Sequence, residues 1–253
     1  MLEGKMAFLG FGILIVVIVL IARFIKSIIK AGEEELKKER EKILYEMELG
    51  NLNSYDEFGY TLLIRAIHYG FTDLVKKLIE KGANVNYKSS SNAYPIHYAA
   101  SSGDEDIVRQ LINNGADVDA LDKDGVTALM IAARMDNKKI ASLLLEEGAD
   151  VNKTEKINGY SALIDAAKNA SFNVYDVLIN NGADVFIKSK SGENAYEIGD
   201  RFLASNLGPS QEINFNKTEM IIGLGYLIRG KSYEIREYVR DDFNDDFQNY
   251  DDE

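Results

Sequence analysis

Gly-Ala-Asx-Val occurs four times in this chain, as Gly82-Ala83-Asn84-Val85, Gly115-Ala116-Asp117-Val118, Gly148-Ala149-Asp150-Val151 and Gly182-Ala183-Asp184-Val185, at steps of 33, 33 and 34 residues. A fixed period of this size restricts the chain to a stacked array. Each unit has an apolar face too small to bury by itself, and only its neighbours can cover it. Arrays of this kind present an extended surface, so the repeat points to binding before it points to chemistry.

A second pattern falls into register once the glycines are aligned. Thr61-Leu62-Leu63-Ile64-Arg65-Ala66-Ile67 matches Tyr94 to Ala100, Thr127 to Ala133 and Ser161 to Ala167. Gly59, Asn92, Gly125 and Gly159 stand two residues before these runs. Thr and Ser can cap the free amides at a helix start, and Gly or Asn can take the positive φ of the turn before it. About ten residues on comes a run with the spacing of a helix that buries one stripe. Its copies are Leu74, Val75, Leu78 and Ile79; Ile107, Val108, Leu111 and Ile112; Ile140, Leu143 and Leu144; and Val174, Val177 and Leu178. The recurring glycine then closes that helix in a left-handed conformation. The unit is a helix pair, a glycine stop and a polar hairpin.

Together these residues resemble the ankyrin repeat, with its 33-residue unit and its Thr-Pro-Leu-His-x-Ala run. The likeness runs from about Asp56 to Asp200. Only the second copy has both Pro95 and His97; Leu62, Ala128 and Ala162 stand at the proline position elsewhere. The fourth copy has one extra residue, placed by the alignment around Lys153–Asn158, and a decaying fifth copy begins at Gly192-Glu193-Asn194-Ala195-Tyr196. The fold expected is an all-α ankyrin-repeat solenoid, helix-turn-helix repeats with β-hairpin loops, preceded by a single transmembrane helix.

The transmembrane expectation rests on Met6 to Ala22, a run without a charged residue. It is slightly short for a hydrocarbon core of roughly 30 Å, but Phe24, Ile25, Ile28 and Ile29 extend it, and Arg23 and Lys26 can snorkel. No small-x-small cleavage site follows, which favours an uncleaved anchor over a signal peptide. Lys5 is the only basic side chain before the run. Arg23, Lys26, Lys30, Lys37, Lys38, Arg40 and Lys42 follow it, so the positive-inside rule puts the N-terminus outside and the repeats in the cytoplasm. Glu33 to Glu48 reads as a charged helix with Glu33–Lys37 and Glu34–Lys38 pairs, and Ile43, Leu44, Met47 and Leu49 form an apolar patch within it. The expected organisation is a short tail over 1–5, an anchor with basic flank over 6–30, a spacer and N-terminal cap over 31–55, repeats over 56–200, a helical C-terminal cap over 201–238 and an acidic, disordered tail over 239–253.

The net charge of −12 and the lack of a basic stripe argue against nucleic acid as a partner. With no cysteine and two histidines, His68 and His97, little remains for thiol chemistry or zinc. No Gly-x-Ser-x-Gly elbow or phosphate loop occurs. Asp104, Glu105 and Asp106 cluster at a helix start, where acids complement the dipole. The sequence therefore leads to no enzyme and no cofactor. The abundance of Lys, Ile and Asn suggests an AT-rich, bacterial genome.

The resemblance also implies where a partner would sit. In this family the concave face is formed by variable positions of the first helices and by the hairpin tips. Here those are Arg65, Tyr98, Ile131 and Asp165; one turn on, His68, Ser101, Arg134 and Lys168, then Tyr69, Ser102, Met135 and Asn169. The tips include Tyr87, Lys88, Leu121, Lys123 and Lys153. Tyr, Arg and Met are enriched in interfaces, which makes Tyr69, Tyr98, Arg134 and Met135 the expected centre. The function expected is a membrane-tethered scaffold or regulator that binds a protein, with the bilayer contacted through residues 6–30. The alternative is an exported effector or inhibitor acting on a foreign or envelope protein.

Overall fold

The structure, a computed structural model, describes residues 2–199 and 201, with side chains from residue 24 onward. The chain divides into two units, Met1–Leu52 and Asn53–Glu253. The expected C-terminal cap beyond Arg201 and the acidic tail lie outside the described residues.

In the first unit, one helix, α1 (Leu2–Glu48), runs for 47 residues through both the expected anchor and the spacer. Phe24, Ile25, Ile28 and Ile29 are all exposed, whereas Ile43 and Met47 are buried. Lys38 pairs with Glu35 at 3.8 Å, one turn back along the exposed surface. Among the described residues no helix is long and apolar enough to cross a membrane. The run Met6–Ala22, on which that expectation rests, lies outside the residues whose side chains are described.

The second unit holds the helix pairs α2 (Leu62–His68) and α3 (Thr72–Glu80), α4 (Pro95–Ser102) and α5 (Glu105–Asn113), α6 (Ala128–Arg134) and α7 (Lys138–Glu146), and α8 (Ala162–Lys168) and α9 (Phe172–Asn180). The first helices of successive pairs stack in one layer and the second helices in another. The local causes repeat. Thr61, Thr127 and Ser161 hydroxyls accept from Ile64, Met130 and Ile164 N–H at 3.3, 3.2 and 3.4 Å, each satisfying an amide with no intrahelical partner. At α4 the place is taken by Tyr94, and Pro95 has no amide to satisfy. Asp104 and Asn137 cap α5 and α7 in the same way, at 3.1 and 3.2 Å. Asp136 reaches from the third repeat to accept from Val174 N–H of α9 at 3.1 Å. Leu74, Leu78, Ile107, Leu111, Ile140, Leu144, Val174 and Leu178 are fully buried, the stripe that the periodicity predicts.

The hairpins differ from expectation. Among the described residues there is no β-strand, only an isolated antiparallel bridge between Thr154 and Ser161. Side chains have taken over the hydrogen bonds that a ladder would use. Asn84, Asp117, Asp150 and Asp184 carboxyl or amide oxygens fold their own turns by accepting from the N–H two residues on, at 2.8 to 3.0 Å. The N–H groups of the same four residues donate in turn to Asn53, Asn86, Asp119 and Asn152 oxygens of the preceding unit at 2.8 to 3.2 Å. A row of Asx rungs thus joins the repeats where strands would be.

Each hairpin also closes on itself around one acceptor. Asp56 Oδ1 accepts from Phe58 and Tyr60 N–H, and Asp122 Oδ1 from Asp124 and Val126 N–H. In the fourth copy Glu155 accepts from Ile157, Asn158 and Tyr160 at 2.5, 2.6 and 3.3 Å. The extra residue of that copy sits inside this loop, and the longer glutamate reaches across it. Glutamate fits the wider loop because it carries one more methylene than aspartate.

Two glycines separate backbone strain from collision. Gly59 has φ +78, and a Cβ there would lie 1.7 Å from Ser90 Oγ; Gly115 has φ +82 with nothing within 4 Å. Gly115→Ala should cost about 1–2 kcal/mol, the left-handed conformation alone. Gly59→Ala should cost clearly more, because Ser90 must move and its N–H bond to Gly59 O, now 2.9 Å, must break. Urea unfolding of the two variants measures the difference, and equal losses would contradict the packing argument.

Candidate partner-binding face

The first-helix positions do not all reach the surface. Arg65 is 3 % exposed and its Nε lies 3.5 Å from Asp56 Oδ2. Asp165 is also 3 % exposed, with Arg134 Nη2 at 2.9 Å from its Oδ2. Arg134 thus compensates the charge of the buried Asp165 carboxylate. Arg65 and Asp165 are therefore interior groups that shape the face without being presented on it. The reason lies in the hairpin acceptors: the side chain at this register meets the loop's own acceptor, as when Tyr98 OH donates to Ser89 Oγ at 3.1 Å. Ile131 is half-buried, as is Tyr98.

Burial pushes the Asp165 carboxyl above its usual range; Arg134 pulls it back, Glu155 adds to the rise and Lys168 opposes it. Burial would also raise Glu155, but the N–H groups of Asn158, Ile157 and Tyr160 outweigh it and hold this carboxyl below the ordinary range. Replacing Arg134 by alanine would strip the charge partner from a buried acid. This arginine thus has a structural duty as well as a half-exposed guanidinium.

What remains exposed is the next turn. His68, Ser101, Ser102, Lys168 and Asn169 face solvent, and Tyr69 and Met135 are 39 % and 58 % exposed. Among the tips, Tyr87, Lys88, Leu121 and Lys123 are exposed, while Lys153 is half-buried and paired with Asp119 at 3.0 Å.

Rings that the sequence reading passed over join this surface. Tyr60 meets Tyr98 edge-on at 5.5 Å between centroids and lies 6.2 Å from the His68 ring. His68 meets Tyr69 at 5.1 Å, and Tyr69 stacks on Phe71 at 5.7 Å. Five rings thus run across the first two repeats, in edge-on, stacked and, for Tyr60 and His68, tilted pairs. Tyr55 and Tyr87 form a separate pair at 5.8 Å. In the fourth repeat Lys168 Nζ sits 4.7 Å from the Tyr160 ring centre. Tyr60 and Tyr160 occupy one register position, eight residues before His68 and Lys168. That recurrence was the available signal.

His97 is interior. Its Nδ1 accepts from Tyr94 N–H at 3.0 Å, and Nε2 faces the carbonyls of Ala120 and Val126 at 3.1 and 3.0 Å. Carbonyls only accept, so Nε2 carries the hydrogen and Nδ1 has none. The neutral ring thereby ties the second repeat to the hairpin of the third. No group of three metal-ligating side chains occurs among the described residues.

An ankyrin-repeat family model, which describes three copies, matches residues 35–122 and again 96–189. The chain belongs to the ankyrin-repeat family. No curated protein matches it. The family match begins inside α1, in the stretch read from sequence as spacer and cap. Gly50-Asn51-Leu52-Asn53 is a worn copy of the Gly-Ala-Asx-Val-Asx ending. Asn53 accepts from Asn84 N–H at 3.2 Å, as each later rung does.

Burial dominates the His97 titration and lowers its pKa against the smaller, opposing pull of the Val126, Asp122 and Ala120 groups. The unfolded chain therefore binds a proton that the folded one refuses. The stability from this ring is complete above about pH 6.5, its unfolded value, and is lost as pH falls below that. Unfolding free energies across pH 5 to 7.5 should rise with pH, and His97→Gln should flatten that slope. An unchanged slope would remove His97 as its source.

Proposed function

We propose that this chain is a membrane-tethered protein-interaction scaffold or regulator. Residues 6–30 anchor it in the bilayer, and the array captures a protein partner through the face around Tyr69, Tyr98, Arg134 and Met135. Ankyrin-repeat arrays are interaction modules, and the observation that carries the reading here is the aromatic row, exposed at His68 and Tyr69. Tyr69 at 39 % and Met135 at 58 % exposure are large side chains that the stacked helices leave uncovered at one register position, two repeats apart. Aromatic and thioether groups placed this way gain most from being desolvated by a partner. Tyr60, His68 and Phe71 form a rigid surround, and Lys168 and Lys123 place positive charge at the edge.

Tethering draws its support from the composition of residues 6–22 and from the exposed Phe24, Ile25, Ile28 and Ile29 of α1. The excess of basic residues after the apolar run supports a cytoplasmic array.

Because Arg134 compensates buried Asp165, alanine there confounds binding with folding. The discriminating variant is Tyr69→Ala with Met135→Ala, checked for an unchanged unfolding midpoint. Partner capture from native membranes should fall at least about tenfold, a loss of roughly 1.4 kcal/mol. Capture at the wild-type level by the folded variant would refute this face as the binding surface. Topology is tested separately by protease added to sealed, right-side-out cells, with detection of the C-terminus. Full-length protection is expected, and digestion from outside would overturn the cytoplasmic assignment.

A further inference from the structure

Asn-Gly occurs three times in this chain, at Asn114-Gly115, Asn158-Gly159 and Asn181-Gly182. The pair is chemically fragile. A glycine nitrogen, with no side chain beside it, can approach the asparagine side-chain carbon and displace ammonia. The fold guards two of the three. Asn114 and Asn181 follow the last turns of α5 and α9. Each side-chain amide donates back to the carbonyl four residues earlier, Gln110 O at 2.8 Å and Val177 O at 2.7 Å. That bond turns the amide along the helix, away from the glycine that follows. The glycine N–H groups are occupied as well, donating to Ile112 O at 2.9 Å and Ile179 O at 3.1 Å.

Asn158-Gly159 is guarded in neither way. It stands in the hairpin of the fourth copy, the one with the extra residue. In the other hairpins the N–H at this place closes the turn. Gly59 donates to Asp56 O at 3.0 Å, Gly125 to Asp122 O at 3.1 Å, and Asn92 and Gly192 to Ser89 and Ser189 O at 2.9 Å. In the longer loop Gly159 N–H has no acceptor among the described residues. Asn158 is exposed, and its side chain lies beside the Glu155 carboxylate instead of along a helix. Its backbone oxygen takes up negative charge when the Gly159 nitrogen loses its proton, and Lys190 N–H already donates to that oxygen at 2.7 Å. A donor fixed in place before the charge appears lowers the cost of forming it. The Glu155 charge opposes that anion, but the N–H groups of Ile157, Asn158 and Tyr160 offset it.

We propose that Asn158 is a site of spontaneous deamidation, and that its conversion loosens the tie between the fourth hairpin and the one that follows. The Gly159 nitrogen, its proton given to solvent, bonds to the Asn158 side-chain carbonyl carbon. The bond from that carbon to Nδ2 breaks, and Nδ2 leaves as ammonia with a proton from water. The cyclic imide then adds water. Opening at the side-chain carbonyl leaves aspartate in an unchanged main chain. Opening at the main-chain carbonyl gives isoaspartate, with the main chain routed through the side chain and longer by a methylene. The oxygen that Lys190 N–H holds then belongs to a free carboxylate, and the backbone bond between the hairpins is lost. Both products place a new negative charge beside Glu155. Water is the only co-reactant. The reaction depends neither on the bilayer nor on capture through Tyr69 and Met135.

The test is the rate of amide-to-acid conversion at each pair in the full chain in detergent, followed by peptide mass spectrometry during incubation in mildly alkaline buffer. The same chain unfolded in urea supplies the reference rates. In the folded chain Asn158 should convert at least about tenfold faster than Asn114 and Asn181, since each of those must first break two hydrogen bonds. An enzyme that methylates isoaspartate should label the fragment containing residue 158, and Asn158→Gln should abolish that label. The Lys190 amide should exchange with solvent severalfold faster in the converted fraction than in fresh protein. A rate advantage for Asn158 no greater in the folded chain than in urea would overturn the proposal. So would a Lys190 amide equally protected before and after conversion.

Discussion

Ala66, Ala99, Ala132 and Ala166 are shut away from solvent where consecutive first helices meet, and the close approach they permit is the constraint on which the array depends. A larger side chain there would push the layers apart. The Asx rungs would lengthen beyond hydrogen-bond distance, and the second helices would lose the neighbours that cover Leu74, Ile107, Ile140 and Val174. No single unit has a core of its own, so its stability comes from the interface with the next unit. The apolar stripe supplies the non-directional attraction. Alanine sets the spacing, and the polar groups of the hairpins fix the register.

The hairpins explain why fewer first-helix side chains reach the surface than the repeat pattern implies. Every loop needs an oxygen to gather its free N–H groups, and Asp56, Ser89, Asp122, Glu155 and Ser189 fill that role in turn. Once that oxygen is in place, the residue on the adjoining helix adapts to it. Arg65 neutralises Asp56, and Tyr98 bonds to Ser89. Ile131 has no such bond to Asp122. In the fourth repeat an acid, Asp165, stands near the acid Glu155 and needs Arg134 from the repeat before. Groups that would serve as ligand contacts in an isolated helix are thus drawn into the internal electrostatics of the array. The next turn of the helix, with Tyr69 and Met135, lies beyond the reach of these acceptors and stays available.

Much of the architecture could be read from the chain because its causes are local and repeated. The glycine stops, the Thr and Ser caps and the apolar stripes each depend on a few neighbouring residues, and each is where the period puts it. The hairpins were less legible. A polar loop between helices suggests paired strands, but two Asx residues in alternate positions satisfy the backbone more economically with their side chains. The difference turns on hydrogen bonds that span about one repeat length. The first-helix register was legible in position and not in exposure: it identifies Arg65 and Asp165 but contains no sign that each is buried beside a charge partner. Tyr60, Phe71 and Tyr55 were missed because they stand in turns, outside the helical positions that family resemblance highlights. The worn first unit was missed because Gly50-Asn51-Leu52-Asn53 lacks the alanine of the signature and has leucine in place of its valine.

The row of Asx rungs has a beginning and an end. Among the described residues, Asn53 receives the first bond and Asn152 the last, accepting from Asp184 N–H. At the next place in the series stands Phe186, whose ring can neither accept nor donate such a bond. An array of nearest-neighbour interfaces behaves like a zipper, and a zipper opens where its teeth are fewest. Of the interfaces among the described residues, a pulling force or a protease waiting for a transient opening would find the one at Phe186, which has no rung, first. The loss would then travel inward one interface at a time, with the His97 tie between the second and third repeats as a late barrier.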